Sequence, residues 1–312
     1  MAVLLGFLGV LAFSGSLPAT RVAVEQLDPT VVGVGRAVVA GLLGGALLVA
    51  TRQPLPTARQ WRRLALVALG VVVGFPLFTA LALRSLSSAH GAVIVGLLPA
   101  ATAVMAVARA GERPTPRFWM ASGAGLVAVL AFAAAQGAGL PTAADGLVLA
   151  AVVFGALGYA EGGALSRELG GWQTICWALV LALPVVTPVA ALAAATGDVS
   201  GDAGAWAGFA YVCLFSMFLG FFAWYAGLAR GGVARIGQVQ LAQPVLTLAI
   251  AAALLGERVT AGMVMAAMAV LLSVVATQRS RVDVVPVMPP TDPASKPDQH
   301  PVQPGAALAS RR

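Results

Sequence analysis

"LLPAATAVMAVARAGERPT", residues 97–115, is written again with small changes as "AQPVLTLAIAAALLGERVT", residues 242–260. Aligned without a gap over 97–129 and 242–274, an offset of 145 residues, the two stretches agree at thirteen of 33 positions. A chain rich in alanine repeats itself by chance, so the weight falls on the rarer matches: Pro99/Pro244, Thr102/Thr247, Gly111/Gly256, Glu112/Glu257, Arg113/Arg258 and Thr115/Thr260. The chain reads as two homologous halves, 1–138 and 141–280.

Composition says what solvent surrounds the repeat. Of 312 residues 59% are hydrophobic and 10% charged, with a mean hydropathy of +0.90. A soluble domain carries about 25% charged residues. So few charges cannot keep a surface wet, and lipid must be the solvent for most of it. Between short charged clusters lie apolar stretches of about 20 residues, each long enough as a helix to cross a hydrocarbon core of about 30 Å. The expected fold is an all-α membrane protein with ten spans: 2–22, 30–50, 64–83, 89–108, 117–135, 146–166, 173–194, 204–228, 234–254 and 261–278. The N-terminal run lacks a basic leader and is read as the first span, not a signal peptide. Residues 282–312, with seven prolines, are read as a disordered cytoplasmic tail.

Charge placement sets the orientation. Twelve arginines fall in the loops 51–63, 109–117, 167–172 and 229–235 and at the start of the tail, against Arg21, Arg84 and Arg258 in the opposite loops. Both termini are therefore expected in the cytoplasm. Each half holds five spans, an odd number, so the second half must sit inverted relative to the first, with a substrate site near the midplane between them. The net charge of +7 is carried by loops, not by a basic patch with interleaved aromatics, so no nucleic-acid partner is expected. Cys176 and Cys213 lie in separate apolar spans without nearby histidine, and neither a disulfide framework nor a metal site is implied. His90 and Arg84 are read as rim residues. No cofactor is expected. The partners expected are a small-molecule substrate and the lipid bilayer, and a homodimer is allowed.

The repeated turn has a structural reading. Gly111 and Gly256 can close a helix in the left-handed conformation, Thr115 can cap the next helix, and Pro116 suits its first position. The Glu and Arg of the turn are expected at the lipid–water boundary, where charge is cheap, and Pro244, the counterpart of Pro99, frees a backbone carbonyl one turn back. Two five-helix halves, each with a proline, a Gly-Glu-Arg turn and a final helix, resemble the EamA-type branch of the drug/metabolite transporter superfamily. "LDPTVVGVGRAVVAGLL", 27–43, resembles that family's second-helix start, with Pro29 and Arg36 at the family's spacing. The second half has no counterpart to Arg36, the position falling on Trp177 or Ala178. The resemblance implies a secondary transporter, an exporter of small metabolites such as amino acids or related compounds, in the bacterial inner membrane. A non-transporting sensor or assembly subunit is the alternative. No catalytic set lies within the spans, and no GxxxxGK[ST] phosphate loop is present to drive an ATP pump.

Polar and aromatic side chains inside spans are the candidate site, because they are costly in lipid and tend to face a cavity. Gln240, Gln243 and Thr247 share one helix face, whereas their repeat partners Val95, Leu98 and Thr102 are almost all apolar. These amides either meet substrate or join helices. Phe218, Phe222 and Tyr225 form a stripe, with Trp224 about 100° away around the helix; the stripe either walls a pocket or faces lipid. Phe78 and Thr79 match Ala223 and Trp224 and should border the same pocket. Arg36, about 9 Å deep, either snorkels to the headgroups or serves the site. Glu161, flanked by Gly158, Gly162 and Gly163, is the candidate proton carrier, because burial among such neighbours favours a neutral carboxyl.

Overall fold

A computed structural model describes residues 1–135 and 142–255, together with Met268, Leu272, Val275, Ala276, Arg279 and 282–284. Among the described residues six helices are long and apolar enough to cross a membrane: α1 (Ala2–Val24), α2 (Val31–Ala50), α3 (Ala58–Ala82), α6 (Ala143–Leu169), α7 (Gly171–Thr196) and α8 (Ala203–Gly231). Between and after them lie α4, in two pieces (Ser88–Val95 and Leu98–Ala110), α5 (Pro116–Ala135), and α9, which runs through Val233–Gly237, Gln238–Ala242 and Gln243–Leu255. The expected tenth span, 261–278, falls outside the described residues except for single positions. So does the second Gly-Glu-Arg turn with Gly256.

Helix ends follow their local chemistry. Thr57 caps α3 and Thr142 caps α6, each in a reciprocal capping box, with Gln60 and Asp145 respectively. Asp202 caps α8 through the Ala205 amide. Gly111 ends α4 at φ 66°, the left-handed closure that only glycine adopts without a steric penalty. The turn beyond it is not a bare hairpin. Glu112–Pro114 (β1) pairs antiparallel with Val282–Val284 (β2). The first three residues of the stretch read as a disordered tail are thus bonded back to the middle of the chain.

Packing crosses between the halves. α1 lies against α8, α2 against α7, and α3 and α4 against α6, while α9 contacts α4 and α1. Exchanging the halves sends the α1–α8 contact onto α6–α3 and the α2–α7 contact onto itself, so the packing has the symmetry of the repeat. Small residues make the approaches close. A Cβ on Gly70 of α3 would stand 2.6 Å from the Phe154 carbonyl oxygen of α6, and one on Gly9 of α1 would stand 2.8 Å from Trp224 Cβ of α8.

The helices are interrupted where the halves meet. Val31–Gly35, Ala68–Gly74 and Val212–Leu219 are π-helical, and Gln238–Ala242 is a 3₁₀ stretch. At the 145-residue offset Ala68–Gly74 falls on 213–219, inside the second-half π stretch, and Leu98, where α4 resumes, falls on Gln243. Breaks of this kind leave backbone groups without α-helical partners and recur at functional sites. Leu4, Leu42, Val49, Val185 and Leu192 stand exposed on the outside of the bundle, a surface suited to lipid.

Candidate functional site

The interrupted segments surround one cavity. Its lining takes Phe13, Ser16 and Leu17 from α1, Arg36 from α2, and Val71, Phe75 and Pro76 from α3; Tyr159 comes from α6, Ser216, Met217 and Phe221 from α8, and Gln243 from α9. Both halves contribute; the π stretches of α2 and α3 end beside the lining residues Arg36 and Phe75, and that of α8 contains Ser216 and Met217. The space measures about 20 Å³, room for one water-sized group.

The lining is aromatic with a few polar groups. Phe13 meets Phe221 with ring centroids 5.0 Å apart and Tyr159 at 6.2 Å. Ser16 donates to Ser216 Oγ at 2.7 Å, joining the halves across the cavity. Arg36 is 2% exposed, so it does not snorkel to the headgroups. Its Nε reaches only the carbonyl of Gly33, three residues back in the π stretch, at 3.4 Å, and its Nη2 is buried with no hydrogen-bond partner. No acidic side chain lines the cavity among the described residues.

Arg36 and Gln243 are the expected site residues that line this space. Gln240 is buried next to them, donates to Gln243 Oε1 at 3.4 Å, and interacts with the Tyr159 hydroxyl. Thr247 instead joins helices, donating to the Ser14 carbonyl at 2.9 Å. Pro244 is buried at the second position of Gln243–Leu255, and the Pro99 carbonyl accepts from Gln238 at 3.1 Å. The aromatic stripe lies one notch off the cavity. Phe218 and Phe222 pack edge to face at 4.7 Å, Phe222 reaching Trp172 of α7, while Met217 and Phe221 point inward. The π stretch Val212–Leu219 advances the helix phase, which 3.6-residue counting does not register. Tyr225 is fully buried, donates to the Gly158 carbonyl at 3.0 Å, and lies against Gly162. Trp224 packs against Phe13 and Tyr159 behind the cavity wall. Phe78 stacks near Phe154, and Thr79 donates to the Phe75 and Pro76 carbonyls; their neighbours Phe75 and Pro76 reach the cavity.

Glu161 is not set among glycine and apolar groups alone. Arg63 of α3 pairs with one carboxylate oxygen and Arg109 of α4 with the other, at 2.8 Å. Arg63 continues to Glu168 at 2.5 Å. The sequence reading set Glu161 against glycine-rich backbone as a proton carrier; the structure adds these two guanidinium groups, from stretches rich in arginine for topological reasons. Glu112, expected at the lipid–water boundary, is fully buried. It accepts from the Val233 and Ala234 amides at 2.6 and 2.7 Å and from Arg167 at 2.9 Å, so its side chain caps the N-terminus of α9. At this arginine-rich end, α3 and α4 of the first half are thus tied to α6 and α9 of the second. On the opposite rim His90 meets Asp145 at 2.6 Å, and Arg21 donates to the Leu83 carbonyl at 2.6 Å.

A larger space, about 410 Å³, lies between α1, the start of α8 and α9. It is lined by Gly15, Pro18, Ala19, Val22, Gly204, Gly208, Tyr211 and Ile250, and the Tyr211 hydroxyl is already committed to the Ala12 carbonyl. It offers an apolar groove without a charged group. The smaller cavity holds the polar chemistry.

Known proteins share this plan. A crystal structure of a protein 17% identical in sequence matches 89% of this chain and 98% of its own with a TM-score of 0.73, a likeness of fold alone. The uncharacterized transporter YdeK of Bacillus subtilis (strain 168) is 50% identical over 274 residues, 88% of this chain and 96% of its own. The EamA-like transporter family matches the chain twice, over residues 1–134 and 142–278. A bundle of apolar helices, a repeat-related packing and this tandem match describe a multi-pass membrane transporter, and the chain belongs to the EamA-like transporter family.

Proposed function

We propose that the protein is a secondary transporter that exports small metabolites, amino acids or related compounds, across the bacterial inner membrane by alternating access of two inverted five-helix halves, with both termini in the cytoplasm. The supporting observation is the cavity of about 20 Å³ whose lining comes from both halves, so that parting them would enlarge it. Arg36 and Gln243 bind the substrate, Gln240 orients Gln243, and Phe13, Tyr159 and Phe221 take its apolar part. Glu161, Arg63 and Arg109 hold the arginine-rich end shut, and opening to the cytoplasm separates them. Proton carriage by Glu161 would require its carboxyl to leave both guanidinium groups in each cycle; we assign it to closure instead.

The test is reconstitution. Purified protein in liposomes should exchange a metabolite across the bilayer without nucleotide, and absence of exchange across a broad panel would leave the sensor or assembly-subunit reading in place. Orientation is tested by single cysteines at Gln60 and Gly201 in a chain lacking Cys176 and Cys213. They should label from opposite faces, and labelling from one face ends the inverted arrangement.

A further inference from the structure

Three charged side chains are buried among the described residues: Arg36, Glu112 and Glu161. Glu161 is held by two arginines, and Glu112 by one arginine and two backbone amides. Arg36 has neither. It makes one long contact to a carbonyl three residues away, its Nη2 has no partner, and the titratable group that acts on it is the buried thiol of Cys213. An uncompensated guanidinium inside a bilayer-spanning bundle opposes folding, so the arrangement is stable only as a place kept for a counter-charge.

We propose that the transported substrate is a net anion, a small organic acid whose carboxylate docks on Arg36 and whose apolar body lies against Phe13, Phe75 and Phe221. This rests on the transporter reading and, within its small metabolites, moves the substrate from amino acids to related acids that lack the ammonium group. The polar groups beside Arg36 include Ser216, whose hydroxyl accepts from Ser16 and keeps its own hydrogen, and the amide of Gln243; both can donate to a carboxylate as the guanidinium does. Nothing comparable awaits a cation. With no acidic side chain on the lining among the described residues, the ammonium of an amino acid would be left without an ionic partner. The site therefore favours the simple acid over the amino acid of the same skeleton, and the acid over its uncharged amide.

The experiment uses the full chain in liposomes and in detergent, with a panel of monocarboxylates from acetate to phenylacetate. Each is paired with its amide and with the amino acid of the same skeleton, so phenylacetate stands beside phenylacetamide and phenylglycine. The expected result is exchange of at least one carboxylate in preference to both of its matched compounds. That exchange should fall by about tenfold or more in Arg36→Gln, the order expected for losing a hydrogen-bonded charge partner, and less in Arg36→Lys. The empty Arg36→Gln protein should melt no lower than wild type, because it loses an unpaired charge and no ion pair. Exchange of amides or amino acids, undiminished in Arg36→Gln, overturns the anion assignment while the transporter reading stands. A lower melting temperature with exchange per folded molecule unchanged assigns Arg36 to the scaffold and also overturns it. Failure of wild-type protein to exchange any member counts against the transporter reading itself, and the anion assignment falls with it.

Discussion

The two halves share their breaks and differ in their polar groups. The π stretch of α3 and that of α8 coincide at the repeat offset, as do the restart of α4 at Leu98 and that of α9 at Gln243, and Thr57 and Asp202 cap α3 and α8 at equivalent positions. Yet α2 carries a π stretch and Arg36 where α7 is a regular helix, and α9 presents Gln240 and Gln243 where α4 presents Val95 and Leu98. Under the proposed alternating access, the difference separates features that serve motion from those that serve recognition: backbone irregularity that both moving halves would need is duplicated, and side chains that would meet one asymmetric substrate need to occur once.

The comparison can be broken most forcibly at the repeated turn. Glu112→Ala leaves Arg167 and two backbone amides without their acceptor, and should cost about 3 kcal/mol, the range for breaking a buried pair. Loss of folded protein on heating in detergent measures it. Glu257→Ala is the repeat partner, and a much smaller loss there would mean the two turns do different work.

Close approach gives the next effect. Gly70→Val on α3 must push Cβ into backbone of α6, at 2.6 Å from the Phe154 oxygen, and Gly9→Val on α1 must push into Trp224 of α8. Each should cost about 1–3 kcal/mol by overpacking. Unequal effects on thermal stability would show that the two crossings, though equivalent in the repeat, are not equivalent in packing.

Gln243→Leu copies the first half's Leu98 into the second. Substrate affinity should fall about tenfold with folding intact, the worth of one hydrogen bond to a charged group. Gln238→Val should do the reverse, because Gln238 accepts from Ser122 at 2.9 Å and donates to the Pro99 carbonyl, joining helices without touching the cavity. It lowers stability and leaves affinity alone. Matching losses of affinity in both variants would erase the division between site and scaffold on α9.

The smallest effect is at the caps. Thr57→Ala should cost about 1 kcal/mol, and Thr57→Asp, which copies Asp202, should cost nothing measurable. The two caps differ in their response to acid. The Gln26 side chain and the Ala205 amide hold the Asp202 carboxyl below its usual range. Its contribution is therefore present above the ordinary carboxylate value and is lost as pH falls through the lower folded one. Thr57 has no such dependence, so acid melts that distinguish Asp202→Thr from wild type, but not Thr57→Asp from wild type at neutral pH, would sharpen the pairing.

The repeat, the arginine-rich loops and the rarity of polar residues made the membrane fold legible in the sequence. The same rarity brought Arg36 and Gln243 forward, since an apolar chain hides neither. What could not be read was phase and partnership. Phe221 was passed over for Phe218 and Phe222 because a π stretch rotates the helix without leaving a residue signature. Glu112 was read as a boundary residue because its acceptors' partners lie 121 and 122 positions further along. Arg63 and Arg109 served so well as topology markers that nothing in their spacing announced a shared carboxylate.

That separation of Glu112 from its partners has a consequence in time. A ribosome adds about 5–20 residues each second, so the segment of 121 residues between Glu112 and Val233 takes on the order of ten seconds to make. During that interval the first half is already in the bilayer, with a carboxylate whose final resting place has not been synthesised. β2, which pairs with the same turn, emerges later still. Glu112 must wait at the membrane surface, hydrated, while the second half is threaded in. Its burial is then one of the last events of assembly, a check that the two halves have met.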